Sequence, residues 1–200
     1  MPERLGVFGG TFDPPHIAHQ IVAERAQETL SLDKVMWVPV GDPPHKKGQQ
    51  VLEAVHRLHM VEHAVAGNPH FAIARIDIDR PGPHYSVDML RLLSDEYPTA
   101  ELFFLIGGDS LRDISQWHQP ERLIECATLV VVERPGVEYD FDALTRAIPG
   151  LEQTVVRIDV PCIEVSSTDI RERAAAGRSI RYLVPSPVAD YIHEHALYAS

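Results

Sequence analysis

Basic residues are scarce in this chain: 18 Lys and Arg stand against 29 Asp and Glu, a formal net charge of −11 at pH 7. So acidic a protein lacks the basic face with which general nucleic-acid or anionic-membrane binders release counterions, so neither partner is expected. Cysteine is rarer still. Cys126 and Cys162 form no CxxC pair and have no metal-ligand spacing, which suits two thiols in a reducing compartment. No apolar run approaches the ~20 residues that cross a bilayer. The opening Met-Pro-Glu-Arg-Leu holds no signal-like apolar stretch, so a cytoplasmic protein is expected. Repeats and low-complexity segments are missing too. What remains is 200 residues of ordinary apolar content, read as one domain over 1–200 with a helical part from about 167.

Strand-like and helix-like segments alternate along that domain. Leu5–Phe8, Lys34–Pro39, Phe71–Ile78, Ala100–Ile106, Thr128–Val132, Val155–Ile158 and Ile163–Val165 read as strands. Helical spacing marks Gln20–Leu30, Val51–Ala66, Pro120–Cys126, a segment capped by Ser86, one opened by Ser167 and ended by Gly177, and one capped by Ser186 ahead of Pro187. The 136–150 stretch is less periodic and reads as a loop with one helix. Repeated βα units imply an α/β fold, a doubly wound parallel sheet with ligands beyond the carboxyl ends of the strands.

Two stretches carry chemistry. Gly9-Gly10-Thr11-Phe12-Asp13-Pro14-Pro15-His16-Ile17-Ala18-His19 joins the first strand to a helix. Its glycines let a ligand approach the backbone, the helix start carries partial positive charge, and His16 and His19 share one side of the first turn. The residues thus describe an anion site. At the other end of the chain, Val165-Ser166-Ser167-Thr168-Asp169-Ile170-Arg171 brings hydroxyls, helix-start N–H groups and a guanidinium toward one anion. Taken alone, that second stretch could equally be a capped helix with a surface arginine.

Together the two motifs resemble the nucleotidylyltransferase superfamily, with its Rossmann-like fold, its H-x-G-H element and its I-S-x-T-x-x-R element. Ala18 departs from the first pattern, standing where glycine is usual. Pro43-Pro44-His45-Lys46, Arg57 with Met60, Pro83-His84-Tyr85-Ser86, Ile106-Gly107-Gly108-Asp109-Ser110-Leu111, Trp117 and Glu133-Arg134-Pro135-Gly136 narrow the resemblance to bacterial nicotinate-nucleotide adenylyltransferases. That family makes nicotinic acid adenine dinucleotide and pyrophosphate from ATP and nicotinic acid mononucleotide, in NAD biosynthesis.

The resemblance implies ATP binding by Gly9, Gly10, Thr11, Phe12, His16, His19, Ile106, Gly107, Asp109, Ser166, Ser167, Thr168 and Arg171, with His16, His19 and Arg171 catalytic. It implies mononucleotide binding by His45, Lys46, Ser86, Trp117 and Arg134, with the 41–48 loop a candidate lid. Ser86 stands where many members have Thr, and His118 where Tyr often follows the tryptophan. Mg²⁺ is expected mainly on the ATP phosphates, without a protein metal site, and a homo-oligomer stays open. His56, His59 and His63 share a helix face at metal-like spacing, but no Cys or carboxylate motif completes a set, so a solvated face is expected.

In-line attack by one phosphate on another needs alignment and charge neutralisation rather than a general base, since the attacking phosphate is already ionised. Other acceptors (nicotinamide mononucleotide, phosphopantetheine) and a catalytically silent nucleotide-binding regulator remain alternative readings.

Overall fold

The computed structural model describes residues 2–42, 51–133 and 136–199. Six parallel strands form one sheet: β1 (Arg4–Gly10), β2 (Lys34–Pro39), β3 (Phe71–Ile73), β4 (Glu101–Gly107), β5 (Thr128–Val132) and β6 (Val155–Ile158). Their spatial order is β3-β2-β1-β4-β5-β6, so the strand order reverses beside β1. That is the doubly wound arrangement, and the crevice at the ends of β1 and β4 is its switch point.

Helices cover both faces, so the strands are apolar on both sides. Leu5, Val7, Met36, Val38, Phe104, Ile106, Leu129 and Val131 face one core, packed under α3 (Ser86–Glu96), α5 (Pro120–Cys126) and α6 (Phe141–Ala147). Their neighbours Phe8, Val35, Trp37, Phe103, Leu105, Val130 and Val132 face the other, under α1 (Ile17–Leu30). The alternation has the two-residue period of a strand. Gly6 belongs to the second face, where a Cβ would stand 2.8 Å from Leu32 Cδ1. A third cluster joins α2 (Ala54–Val65) to α8 (Ser167–Ala175) and α9 (Ser186–Glu194) through Met60, Ala64, Ile170, Val184, Val188 and Ile192. Two short helices, α4 (Gly108–Arg112) and α7 (Leu151–Thr154), and a 3₁₀ turn over Ile114–Gln116 complete the described elements. Among the described residues no helix is long and apolar enough to cross a membrane.

Four local expectations are corrected. The strand expected over Phe71–Ile78 stops at Ile73, where its pairing with β2 ends. Ile78 and Asp79 then donate to the Arg75 carbonyl and Arg75 pairs with Asp79, so the apolar alternation continues into a turn instead of a strand. Ile163–Val165 forms no strand: the Val165 amide donates to the Ile163 carbonyl, a three-residue turn that bends the chain toward α8. Ser86 is the first residue of α3 and Tyr85 its N-cap. Likewise Pro185 is the N-cap of α9, with Ser186 and Pro187 inside it.

Candidate active site

The glycines that close β1 are still strand residues, paired with Val38 and Pro39 of β2. At Gly10 a Cβ would lie 2.9–3.1 Å from the Phe12 ring, so a side chain there would have to displace that ring. At Gly9 it would meet only ordinary contacts, 3.7 Å from Met89 and Phe104, so the missing side chain leaves room on the sheet's end. Phe12 itself turns the chain, with φ at +49°, and buries its ring against Phe8, His19 and Trp37. A bulky residue held there needs firm support, and the aromatic cluster supplies it.

Beyond the ends of β1 and β4 opens a cleft of about 860 Å³. Gly9, Gly10 and Thr11 line it from the end of β1, and Ile106, Gly107 and Asp109 from the end of β4. Ser86 and Trp117 line it as well, together with Asp77, His84, Tyr85 and His118. His118 stacks on Tyr85 with ring centroids 4.2 Å apart, and Trp117 meets Phe104 edge-on at 6.4 Å. His84 is buried with a fixed tautomer: Nδ1 accepts from the Asp42 amide at 3.0 Å while Nε2 donates to the Arg80 carbonyl at 3.1 Å. Burial pushes the Asp77 carboxyl up from its ordinary range, against the pull of Arg80, which donates to its Oδ1 at 2.8 and 3.1 Å. Phe12 is not among the described lining residues, and neither are His16, His19, Ser166, Ser167, Thr168 and Arg171.

Those last six gather in a second group on the turn between Asp13 and α1. His16 is the N-cap of α1, and its ring stacks on that of His19 at 3.6 Å. The His16 backbone N–H donates to His19 Nδ1 at 3.1 Å, which leaves Nε2 to carry the proton of the neutral His19 ring. No carboxylate stands in the first turn of α1, so nothing there offsets the helix's positive end. From α8, the Ser166 hydroxyl caps the helix by accepting from the Asp169 amide, and the Ser167 hydroxyl donates to the Pro14 carbonyl at 2.9 Å. Arg171 donates to the Asp13 carbonyl at 2.8 Å and to the Thr168 hydroxyl at 3.3 Å. The two ends of the chain thus meet on one loop.

Arg57 holds that loop from below. Its side chain is 1% exposed, and it donates to the carbonyls of Leu52, Thr11, Val40 and Gly41 at 3.0, 2.8, 2.6 and 2.7 Å. Burial lowers its pKa, partly offset by the Asp13 carboxylate. The sequence reading noted Arg57 without giving it a role. Its signal was phase: it falls with Met60, Val61 and Ala64 on the buried face of α2, an unusual place for a guanidinium. Asp13 and Tyr198, which bond to each other at 2.7 Å, were also missed, being 185 positions apart. His45, Lys46 and Arg134, and most of the 41–48 loop, lie outside the described residues. His56, His59 and His63 surround Tyr191, with His56 Nδ1 3.0 Å from its hydroxyl and His59 paired with Glu62.

A parallel sheet whose glycine-ended first strand runs into a histidine-bearing helix, at the strand-order switch, defines a nucleotide-binding α/β protein. The family model described as cytidylyltransferase-like matches residues 7–173. A protein of Thermomicrobium roseum named as a probable nicotinate-nucleotide adenylyltransferase is 50% identical, over 98% of this chain and 91% of its own length. One of the same name from Thermus thermophilus is 46% identical over 98% and 99%. The chain belongs to the cytidylyltransferase-like family, among the nicotinate-nucleotide adenylyltransferases. The solved structure of the Plasmodium falciparum nicotinic acid mononucleotide adenylyltransferase complexed with NaAD has the same fold, with a TM-score of 0.78 over 98% of this chain and 97% of that one, at 20% identity.

Proposed function

We propose that this chain transfers the adenylyl group of ATP to nicotinic acid mononucleotide, releasing pyrophosphate and forming nicotinic acid adenine dinucleotide. One observation carries the reading: a single cleft lined by Gly9, Gly10 and Thr11 together with Ser86 and Trp117, continuous in sequence with a loop that gathers His16, His19 and Arg171.

In this reading the mononucleotide's pyridine ring lies by Trp117, and its carboxylate points at Ser86 and the leading amides of α3, which no helical carbonyl reaches. An amide in the same place lacks the charge that these donors favour. ATP lies against Gly9–Thr11 and Ile106–Gly107, with Asp109 beside its ribose. His19 donates from Nε2 as charge develops around the α-phosphorus, and His16 adds the dipole at the start of α1. Thr168, Arg171 and the start of α8 receive the leaving pyrophosphate. Mg²⁺ would enter with the nucleotide substrate and would supply positive charge against the phosphates.

The test is pyrophosphate release from MgATP with nicotinic acid mononucleotide, nicotinamide mononucleotide and phosphopantetheine in parallel. Strong preference for the first is expected. Preference for another overturns the acceptor assignment, and no release with any overturns the reaction.

A further inference from the structure

Asp13 sits in the loop between β1 and α1 and is 2% exposed, yet nothing in the reaction above uses its carboxylate. A buried carboxylate persists only where donors meet it. Its Oδ1 accepts from the Tyr198 hydroxyl at 2.7 Å and its Oδ2 from the Leu52 amide at 3.4 Å. Arg57 lies near enough for charge attraction, and burial together with Asp13 pushes the Tyr198 phenol far above its ordinary range, so it stays a donor. The Asp13 backbone carbonyl meanwhile receives Arg171, and the next carbonyl, that of Pro14, receives Ser167.

Tyr198 reaches this position by a deliberate turn of the chain. After α9 ends at Glu194, Ala196 and Tyr198 take φ of +47° and +65°, a conformation that ordinary side chains adopt only with support. The support is on both sides: the Leu197 amide donates to the Ile192 carbonyl, and Leu197 and Tyr198 pack against the core of α2, α8 and α9. The backbone is bent so that a phenol ends on Asp13.

We infer that Tyr198 is a positioning residue for adenylyl transfer, acting through Asp13 to fix the loop on which Arg171, Ser167 and the His16–His19 pair are arranged. The inference rests on the reading of the reaction given above. Tyr198 touches no phosphate. It holds the carboxylate, the carboxylate holds residue 13 in place, and the carbonyl of that residue holds Arg171.

Tyr198→Phe removes one oxygen and leaves the ring packing in place. It should fold with an unchanged far-UV spectrum and lower kcat about tenfold, the scale of leaving one buried polar group without its partner. The KM for nicotinic acid mononucleotide should stay unchanged, because that end of the cleft does not contact Asp13. Asp13→Ala should cost at least as much, and Tyr198→Phe added to it should cost nothing further, since the double-mutant cycle removes a link already broken. Asp13→Asn, which keeps an oxygen for the phenol, should recover part of the Asp13→Ala loss, and this arm does not need the Tyr198 variant to fold. Additive losses, a rise in the mononucleotide KM in place of a fall in kcat, or equal activity of Asp13→Asn and Asp13→Ala would each overturn the inference. If the wild-type chain releases no pyrophosphate with any acceptor, the reaction reading fails separately. Calorimetric affinity for inorganic pyrophosphate then decides: weaker binding by Tyr198→Phe supports the link and unchanged binding overturns it.

Discussion

On the side of the cleft assigned to the pyridine ring, the contacts are between surfaces: His118 against Tyr85 and Trp117 edge-on to Phe104. On the side assigned to phosphate, the contacts are directed bonds. Arg171, Ser167 and Arg57 all donate to main-chain carbonyls of the Thr11–Pro14 stretch, and His19 is oriented by the His16 amide. Shape decides which ring fits, and a small error there costs affinity. Charge placement decides how well a transition state is met, and an error of an ångström there costs rate. The denser network lies where geometry matters more.

The contrast can be broken most severely at Arg57. Arg57→Met keeps the length of the side chain and removes the donors that four carbonyls share. We expect a loss of stability of about 3 kcal/mol or more, read as a lower urea midpoint. His19→Ala leaves the fold intact and should lower turnover by at least ~10²-fold with little change in either KM, the size of one transition-state donor. Near-normal turnover in the folded variant would remove His19 from the reaction. On the ring side, Trp117→Ala should raise the KM for nicotinic acid mononucleotide about tenfold while kcat and the ATP KM hold, because it removes uniform binding. A fall in kcat instead would mean that both halves of the cleft act alike.

The smallest effect concerns pH. The folded Tyr198 phenol has its pKa raised above the ordinary value of 10.0. Its contribution to stability is therefore complete below pH ~10 and is lost as pH rises beyond it, because the unfolded phenol releases its proton while the folded one does not. The slope approaches about 1.4 kcal/mol per pH unit. Urea titrations between pH 9 and 11 should show that slope in the wild type and a shallower one in Tyr198→Phe.

How much of this could be read from residues alone differs between the same two halves. The parallel sheet was legible because Val35–Val38, Leu102–Ile106 and Leu129–Val132 are apolar runs of strand length, buried on both faces. The His16–His19 pair and the Ser166–Arg171 stretch were legible because spacing within one helical turn fixes which groups share a side. Phe71–Ile78 was misread because alternation reports which side a residue faces and not whether a neighbouring strand is present. Ser86 and Ser186 were misread as caps by one position, since a serine beside a helix start satisfies the pattern on either side of it. Arg57 and Tyr198 escaped for another reason. Their partners are main-chain carbonyls and a residue at the far end of the chain, and no local pattern records either.

The bond between residues 13 and 198 also has a consequence for how the protein is made. Synthesis proceeds from the first strand onward, and β1 can take its place beside β2 and β4 once residue 107 has emerged. The turn that carries Asp13 must wait until Arg171 and then Tyr198, near the other end of the chain, exist to bond it. A nascent chain therefore has its last strand, which ends at Ile158, before the residues that tie down the Asp13 turn exist.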